Sequence, residues 1–140
     1  MKVYIAGGWF DLLQLLVVKD IETILGLTDT EFFSPRLDNK GTSGMSDDKW
    51  DDIYSTNIRE LHNCDIVISS TEGKDMGTLF ECGYATAINK PVVYYAPNLK
   101  GPFNLMLAKS AWAVLTSPGD LHTFIEEGMP KIPYTGKEIE

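Results

Sequence analysis

The stretch IVISSTEGKDMGTLFECGYA, residues 66–85, decides the fold class of this chain. It begins with an apolar run from Ile66 to Ile68, which is typical of a buried strand, and it continues into a helical pattern that ends before Lys90. A strand that leads into a helix is the repeating unit of open α/β proteins, whose sites form at the carboxyl ends of parallel strands. The stretch therefore places Asp75, Gly77 and Glu81 at the edge of a sheet where a site is expected.

Glu81 has two interpretations at this position. A carboxylate about one turn into such a helix can point back into the crevice and act as a nucleophile. Alternatively, Thr78 and Glu81 have the spacing of a capping box, in which the glutamate binds the first free amide of the helix. Asp75 is likewise either a site residue or a short polar side chain that forms a turn. The spacing alone leaves these alternatives open.

Strands and helices alternate along the rest of the chain, and this predicts a parallel sheet with right-handed crossovers. The predicted strands are residues 2–6, 30–33, 65–69, 92–95 and 113–115, and the predicted helices are residues 11–25, 48–63, 77–89, 104–110 and a last one from about 118. Residues 36–48 are predicted to be a loop. With 140 residues the chain is expected to form one domain, 1–140, with a doubly wound five-stranded α/β fold of the flavodoxin or Rossmann type.

Composition and charge exclude several classes of partner. A formal net charge of -8 argues against a nucleic acid polymer, since phosphate binding requires clustered Lys and Arg. No run approaches the roughly 20 apolar residues that span a membrane, and no secretory signal precedes the first strand. Cys64 and Cys82 lack a metal-like spacing, so we expect reduced thiols, no metal site, no cofactor and a cytoplasmic location.

The first strand ends in Gly7-Gly8-Trp9-Phe10. This sequence lacks the third glycine of a dinucleotide-binding motif, and its two large rings would fill the space that a pyrophosphate needs. An aromatic pair beside a glycine turn is better suited to stacking on a nucleobase or a sugar face. The alternative is that Trp9 and Phe10 are ordinary core or interface aromatics.

Four segments in the same order resemble the nucleoside 2-deoxyribosyltransferase family. They are YIAGGWF at residues 4–10, FSPRLDN at residues 33–39, the junction at residues 75–85, and PFNLM at residues 102–106. The resemblance implies a five-stranded doubly wound protein that moves 2-deoxyribose between nucleobases, with 2′-deoxynucleosides and free bases as partners and no cofactor.

The resemblance also implies roles for particular residues. Glu81 would be the nucleophile that forms a covalent deoxyribosyl ester with overall retention, Asp75 would help to hold the sugar and base, and Tyr4 would orient Glu81. Asn104 and Met106 would reach into a neighbouring subunit's site, which implies a homo-oligomer, at least a dimer and expected to be a hexamer. The other substrate-binding residues that it implies are Gly7, Trp9, Phe10, Asn57 and Gly77.

The chain departs from the family pattern at two positions. Asn57 stands where relatives usually carry an aspartate that is a candidate proton donor, and an amide cannot donate a proton as an acid does. Lys40 stands where a base-contacting glutamine is common, so base selectivity cannot be carried over.

Two other functions remain open at this point. The first is a 2′-deoxynucleoside 5′-monophosphate N-glycosidase of the same fold, which is disfavoured because Asp11 in the first loop would repel a phosphate. The second is a nucleoside-binding module without turnover, since a fold alone does not determine function.

Overall fold

Five parallel strands form the central sheet of the protein. The structure is a computed structural model that describes residues 1–140. The strands of the chain are β1 (Lys2–Ala6), β2 (Glu31–Phe33), β3 (Ile66–Ser70), β4 (Val92–Tyr95), β5 (Phe103–Asn104), β6 (Ala113–Leu115) and β7 (Glu138–Ile139). The central sheet has the order β2-β1-β3-β4-β6, and all four pairings are parallel. The predicted five-stranded parallel sheet is therefore confirmed.

Helices cover both faces of this sheet. They are α1 (Leu12–Leu27), α2 (Pro35–Asp38), α3 (Asp47–Asn63), α4 (Met76–Ala87), α5 (Leu105–Ser110) and α6 (Pro118–Glu126). One core cluster joins the sheet to α1 and α6, and a second joins it to α3, α4 and α5. This arrangement confirms the doubly wound architecture. None of the helices combines the length and the apolar character that a membrane crossing requires.

The period of two along β1 determines which side chains face the candidate site. Val3 and Ile5 pack into the cluster with α1 and α6, whereas Tyr4 and Ala6 pack into the cluster with α3 and α4. Successive side chains of a strand point to opposite faces, so this alternation is expected for a strand buried on both sides. Tyr4 therefore lies on the same side of the sheet as Glu81.

The strand order places a crevice between β1 and β3. After β1 the chain forms β2 on one side of β1 and then returns to form β3 on the other side. The helices that follow β1 and β3 therefore lie on opposite faces of the sheet. Ala6 at the end of β1 is level with Ser69 near the end of β3. Open α/β proteins bind ligands where the strand order reverses in this way.

The helix α2 was not predicted from the sequence. The predicted loop at residues 36–48 begins instead with α2, whose first residue is Pro35. Proline suits the first turn of a helix because its φ angle is already near the helical value. Glu22 on α1 fixes α2, since it accepts hydrogen bonds from Ser34 Oγ (2.7 Å) and from Arg36 Nε (3.2 Å).

The second unpredicted element is the small sheet formed by β5 and β7. It brings the C-terminal segment beside the start of α5, and Phe103 N donates to Lys137 O at 2.9 Å. Strands of two residues are too short to produce a periodic sequence pattern. The C-terminal segment thus acquires its position from pairing with a distant strand.

Candidate functional site

Glu81 and Tyr4 form the central contact of the candidate site. The Tyr4 hydroxyl donates a short hydrogen bond to Glu81 Oε2. Tyr4 is completely buried, whereas Glu81 is only partly buried at the start of the second turn of α4. The contact forms because Tyr4 points toward α4 and Glu81 points back toward the end of the sheet.

The surroundings of Glu81 alter its acidity. Burial raises the pKa of Glu81 to about 7, the hydrogen bond from Tyr4 opposes this rise, and the negative charge of Asp75 adds to it. Burial and the same carboxylate raise the pKa of Tyr4 well above its ordinary value, so its hydroxyl remains a donor. A carboxyl group that titrates near neutral pH in a crevice is a common property of active sites.

Asp75 is the N-cap of α4. Its Oδ2 accepts hydrogen bonds from Thr78 N at 2.9 Å and from Thr78 Oγ1 at 2.8 Å. Thr78 is therefore the third residue of the helix, and the alternative in which Thr78 and Glu81 form a capping box is wrong. A carboxylate at this position is favoured because it accepts a free helical amide and faces the positive end of the helix dipole. Asp75 thus has a structural role and also lies close enough to influence Glu81.

A thiol is a poor alternative nucleophile here. Cys82 follows Glu81 directly but is fully buried, and burial raises its pKa to about 12. The thiolate is the reactive form of cysteine, so Cys82 would be almost entirely protonated at neutral pH. No three His, Cys, Asp or Glu side chains converge where they could hold a metal ion.

The loop after β1 packs tightly against the loop after β3. A Cβ atom at Gly7 would lie 2.5 Å from Val18 Cγ2, and one at Gly8 would lie 3.2 Å from Asp75 Cβ. Glycines at these positions therefore allow Asp75 to approach the end of β1.

Gln14 joins the same two loops and was not identified from the sequence. Its Oε1 accepts a hydrogen bond from Phe10 N at 3.0 Å, and its Nε2 donates to Glu72 O at 3.3 Å. The side chain is almost completely buried. A single amide in the otherwise apolar run Leu12–Leu16 was the available sequence signal, since a buried amide requires partners.

Trp9 and Phe10 form an aromatic pair at the mouth of the crevice. Their ring centroids are 4.9 Å apart, Trp9 is partly buried, and Phe10 is 70% exposed. The interpretation of Phe10 as a core aromatic is therefore wrong for the single chain. An exposed ring at this place is available to a ligand or to another subunit.

Asn57 lies on α3 and is held by Asn39, the residue that ends α2. Asn57 Oδ1 accepts a hydrogen bond from Asn39 Nδ2 at 3.0 Å, and the same amide nitrogen donates to Ile53 O at 3.0 Å. With this assignment of the amide groups, the NH₂ group of Asn57 is left to donate to another partner.

Two of the residues expected at the site, Asn104 and Met106, lie outside the Tyr4–Glu81 centre in the single chain, whereas Gly77 lies one turn before Glu81 on α4. Asn104 is the exposed N-cap of α5 and accepts from Leu107 N at 3.1 Å, while Met106 is 74% exposed. Neither forms a hydrogen bond with Tyr4, Asp75 or Glu81. Gly77 is exposed in the first turn of α4, and a Cβ atom there would meet only Asp75 Oδ2, at 3.5 Å.

Comparison with known proteins gives one family match. The sequence model of the nucleoside 2-deoxyribosyltransferase family matches residues 3–111. This range includes Tyr4, Asp75, Glu81, Asn104 and Met106. No curated protein sequence gives a significant match.

Solved structures similar to this one include two deoxyribosyltransferases. A 2-deoxyribosyltransferase from Bacillus psychrosaccharolyticus is 25% identical with a TM-score of 0.85, over 96% of this chain and 100% of the other. The 2-desoxiribosyltransferase from Leishmania mexicana is 22% identical with a TM-score of 0.60, over 91% and 98%. A CMP N-glycosidase from Clostridium botulinum is 14% identical with a TM-score of 0.60, over 90% and 99%. The last two similarities establish the common fold.

Proposed function

The chain belongs to the nucleoside 2-deoxyribosyltransferase family, and we propose that it exchanges the base of 2′-deoxynucleosides through a covalent deoxyribosyl ester on Glu81. The observation that carries this proposal is the partly buried contact between Tyr4 and Glu81 at the crevice between β1 and β3. A carboxylate in this setting can reach a sugar bound at the sheet edge. The hydrogen bond from Tyr4 fixes the orientation of that carboxylate.

The proposed reaction has two displacements at the anomeric carbon. The ionised carboxylate of Glu81 forms a bond to C1′ while the C1′–N bond breaks, and the departing base keeps the electron pair and takes up a proton. A second base then attacks C1′ through a ring nitrogen from the face opposite the ester, gives up the proton on that nitrogen and releases the Glu81 carboxylate, so the proton that it loses balances the one that the first base takes up. Two inversions give net retention, as in retaining glycosidases.

The environment of Glu81 suits both steps. Partial burial removes water from the carboxylate, so the anion is more reactive toward C1′ and stabilises positive charge that develops on the sugar. Trp9 and Phe10 provide aromatic faces at the mouth of the crevice that could cover the substrate. Excluding water would favour capture of the ester by a base over hydrolysis.

We assign sugar and base contacts to residues around this centre. Asp75 uses Oδ2 for its capping hydrogen bonds, so its Oδ1 is left for a substrate hydroxyl or base. Gly77 has no side chain and leaves open space next to Asp75. Asn57 offers its NH₂ group on the other side. Gly7 contributes by keeping the end of β1 close to β3.

Protonation of the departing base is the step for which Asn57 is least suited. We expect Asn57→Asp to raise the rate of transfer or to broaden the accepted bases, because well-placed general acids contribute about 10²–10⁴-fold. The replacement keeps the acceptor for Asn39 Nδ2. The measurement is kcat/KM for several acceptor bases against pH, with Asn63→Asp at the end of α3 as a control outside the crevice. Unchanged rates, pH profile and base preference would transfer this role to Asp75.

A phosphate-dependent hydrolase is less well supported. Asp11 caps α1 beside the crevice and its Oδ1 accepts from Gln14 N at 2.8 Å, so a carboxylate occupies the helix terminus that a phosphate would use. A nucleoside-binding module without turnover is also less well supported, since pure binding gives no reason to keep the Glu81 carboxylate partly buried at a cost in stability.

The decisive experiment is incubation of the protein with deoxyinosine and free adenine, followed by chromatography. The expected product is deoxyadenosine, and Glu81→Gln should reduce its formation by at least about 10³-fold. Matched incubations without adenine measure hydrolysis, and incubations with deoxycytidine monophosphate test the hydrolase. Release of base from the monophosphate without base exchange would contradict the transferase proposal and support the N-glycosidase. Absence of both reactions with bound deoxyinosine would indicate the binding module.

A further inference from the structure

A second cleft lies at the opposite edge of the sheet from Glu81. It has a volume of about 500 Å³ and is bordered by Pro91, which precedes β4, and by Trp112, which precedes β6. It therefore opens at the amino ends of the strands, whereas the candidate active site opens at their carboxyl ends. Its volume is within the range of about 300–1,000 Å³ that small-molecule sites occupy.

The charge of this cleft is opposite to that of the protein. Three of the chain's 12 basic residues line it, namely Lys90, Lys109 and Lys131, while none of the 20 acidic residues does. Lys109 is paired with Glu138 at 2.9 Å just outside the lining, but Lys90 and Lys131 form no salt bridge. Unpaired ammonium groups that share a cleft repel each other, and a bound anion would remove this repulsion.

Two aromatic rings in the cleft are held in place by their own polar groups. Trp112 Nε1 donates to Met129 O at 3.0 Å, and the Tyr134 hydroxyl donates to Lys137 O at 3.0 Å. Lys131 Nζ lies 5.6 Å from the centroid of the Trp112 ring. The rings are thus oriented before any ligand arrives, and one ammonium group, that of Lys131, lies over the Trp112 ring.

We propose that this cleft binds a small ligand that combines a flat heteroaromatic ring with a phosphate group, such as a nucleoside 5′-monophosphate. The phosphate would contact Lys90 and Lys131, and the ring would stack on Trp112 or Tyr134. Ser110 at the end of α5 also lines the cleft, and the same helix begins next to Asn104. The site is independent of turnover at Glu81, so the proposal does not rest on the proposed function.

The test is a titration followed by the indole N–H signals of Trp9, Trp50 and Trp112 in a ¹H–¹⁵N NMR spectrum. Trp112→Phe assigns one signal, and the probes are adenosine 5′-monophosphate, inorganic phosphate and adenosine. We expect the monophosphate to shift the Trp112 signal, inorganic phosphate to bind at least about tenfold more weakly, and adenosine to leave that signal unchanged. Lys90→Gln and Lys131→Gln should each weaken monophosphate binding about tenfold.

Lys19→Gln is the matched control, since Lys19 is exposed on α1 and does not line the cleft. It should bind the monophosphate as the wild type does. The proposal is overturned if the Trp112 signal does not move, if Lys90→Gln and Lys131→Gln bind normally, or if inorganic phosphate binds equally well. A shift of Trp9 without a shift of Trp112 would also overturn it and would instead place the monophosphate at the candidate active site.

Discussion

At the scale of single residues, Glu81 is subject to two opposing influences. Burial and the nearby charge of Asp75 favour its protonated form, whereas the Tyr4 hydroxyl favours the carboxylate. The result is a pKa of about 7, so small changes around Glu81 alter the fraction that can act as a nucleophile at neutral pH. Both the activity and the stability of the protein should therefore depend on pH through this residue.

Replacement of Tyr4 tests whether the activity depends on pH through Glu81. Tyr4→Phe removes the hydrogen bond that lowers the pKa of Glu81, so we expect that pKa to rise further above about 7. Because the ionised form attacks the sugar, kcat/KM should fall more at pH 6 than at pH 9. Tyr94→Phe is the control, since Tyr94 is buried in the same core cluster without contacting Glu81. An equal loss at every pH would indicate that Tyr4 affects only packing.

Replacement of Glu81 tests whether the stability of the protein depends on pH through this residue. Its folded pKa of about 7 exceeds the ordinary value of 4.5, so its stabilising contribution is fully present below pH 4.5 and is lost as the pH rises through 7. Glu81→Gln is neutral at every pH and retains an acceptor for Tyr4. We therefore expect the free energy of unfolding of Glu81→Gln to exceed that of the wild type by on the order of 2 kcal/mol above pH 7 and to be almost equal to it at pH 4.

The measurement is chemical denaturation of both proteins at pH 4, 6 and 8. Glu127→Gln, an exposed carboxylate at the end of α6, serves as the control and should show no such dependence. A stability difference between Glu81→Gln and the wild type that is the same at all three pH values would contradict the assigned pKa.

At the scale of secondary-structure elements, the candidate site depends on the close approach of the β1–α1 loop to the β3–α4 loop. Gly7 lets the end of β1 pack against Val18 on α1 and Ser70 at the end of β3, Gly8 lets it approach Asp75, and Gln14 hydrogen-bonds to both loops. Asp75 ends one loop and begins α4, so the same residue defines where the helix starts and where Glu81 points. The geometry around Glu81 is therefore a property of two loops and a helix start taken together.

Gly7→Ala is the corresponding test. A Cβ atom there would lie 2.5 Å from Val18 Cγ2 and 3.2 Å from Ser70 Cβ, so we expect a loss of stability of about 1–3 kcal/mol from overpacking. Gly83→Ala on α4 meets nothing within 4 Å and should instead stabilise the protein by about 0.5–1 kcal/mol. Denaturant midpoints of the two variants provide the comparison. A neutral Gly7→Ala would mean that Val18 and Ser70 move easily away from the end of β1.

At the scale of the whole molecule, apolar side chains remain exposed around the candidate site. Phe10, Leu12 and Leu16 lie at the start of α1, and Met76 and Phe80 lie on α4, each at least half exposed. Tyr54 on α3 extends this surface, since its ring centroid is 6.4 Å from that of Phe80. Large exposed apolar patches mark interaction surfaces. We propose that copies of this chain associate here and that Asn104 and Met106 complete a neighbouring subunit's site.

Mixing two inactive variants tests this shared site. We expect Glu81→Ala and Asn104→Ala each to lose transfer activity, because each removes part of every site. After joint unfolding and refolding, mixed dimers would contain one intact site, so random pairing should restore about a quarter of wild-type activity. Refolding each variant alone is the control. No recovery in mixtures that do form mixed oligomers, or full activity in a monomer, would show that each chain uses only its own residues.

The sequence by itself determined the fold class, and it predicted Tyr4, Asp75 and Glu81 as residues of the site. The alternation of apolar strands with helices predicts the sheet, because burial on both faces requires continuous apolar strands and amphipathic helices. The position of Glu81 one turn into a helix after a buried strand likewise depends on local order along the chain. Such features can be predicted from the sequence because residues that are close along the chain produce them.

Only the tertiary structure decided which groups meet. The capping box was a sound local interpretation, but Asp75 takes the cap and Glu81 pairs with Tyr4, which is 77 positions away. In the same way, Gln14, the pairing of β5 with β7 and the lysines around Trp112 depend on segments that are distant along the chain. Sequence spacing predicts contacts within one helix or strand, whereas contacts between elements depend on strand order and on which face each residue occupies. The raised pKa of Glu81 follows from those contacts, because burial and neighbouring charges exist only in the folded chain.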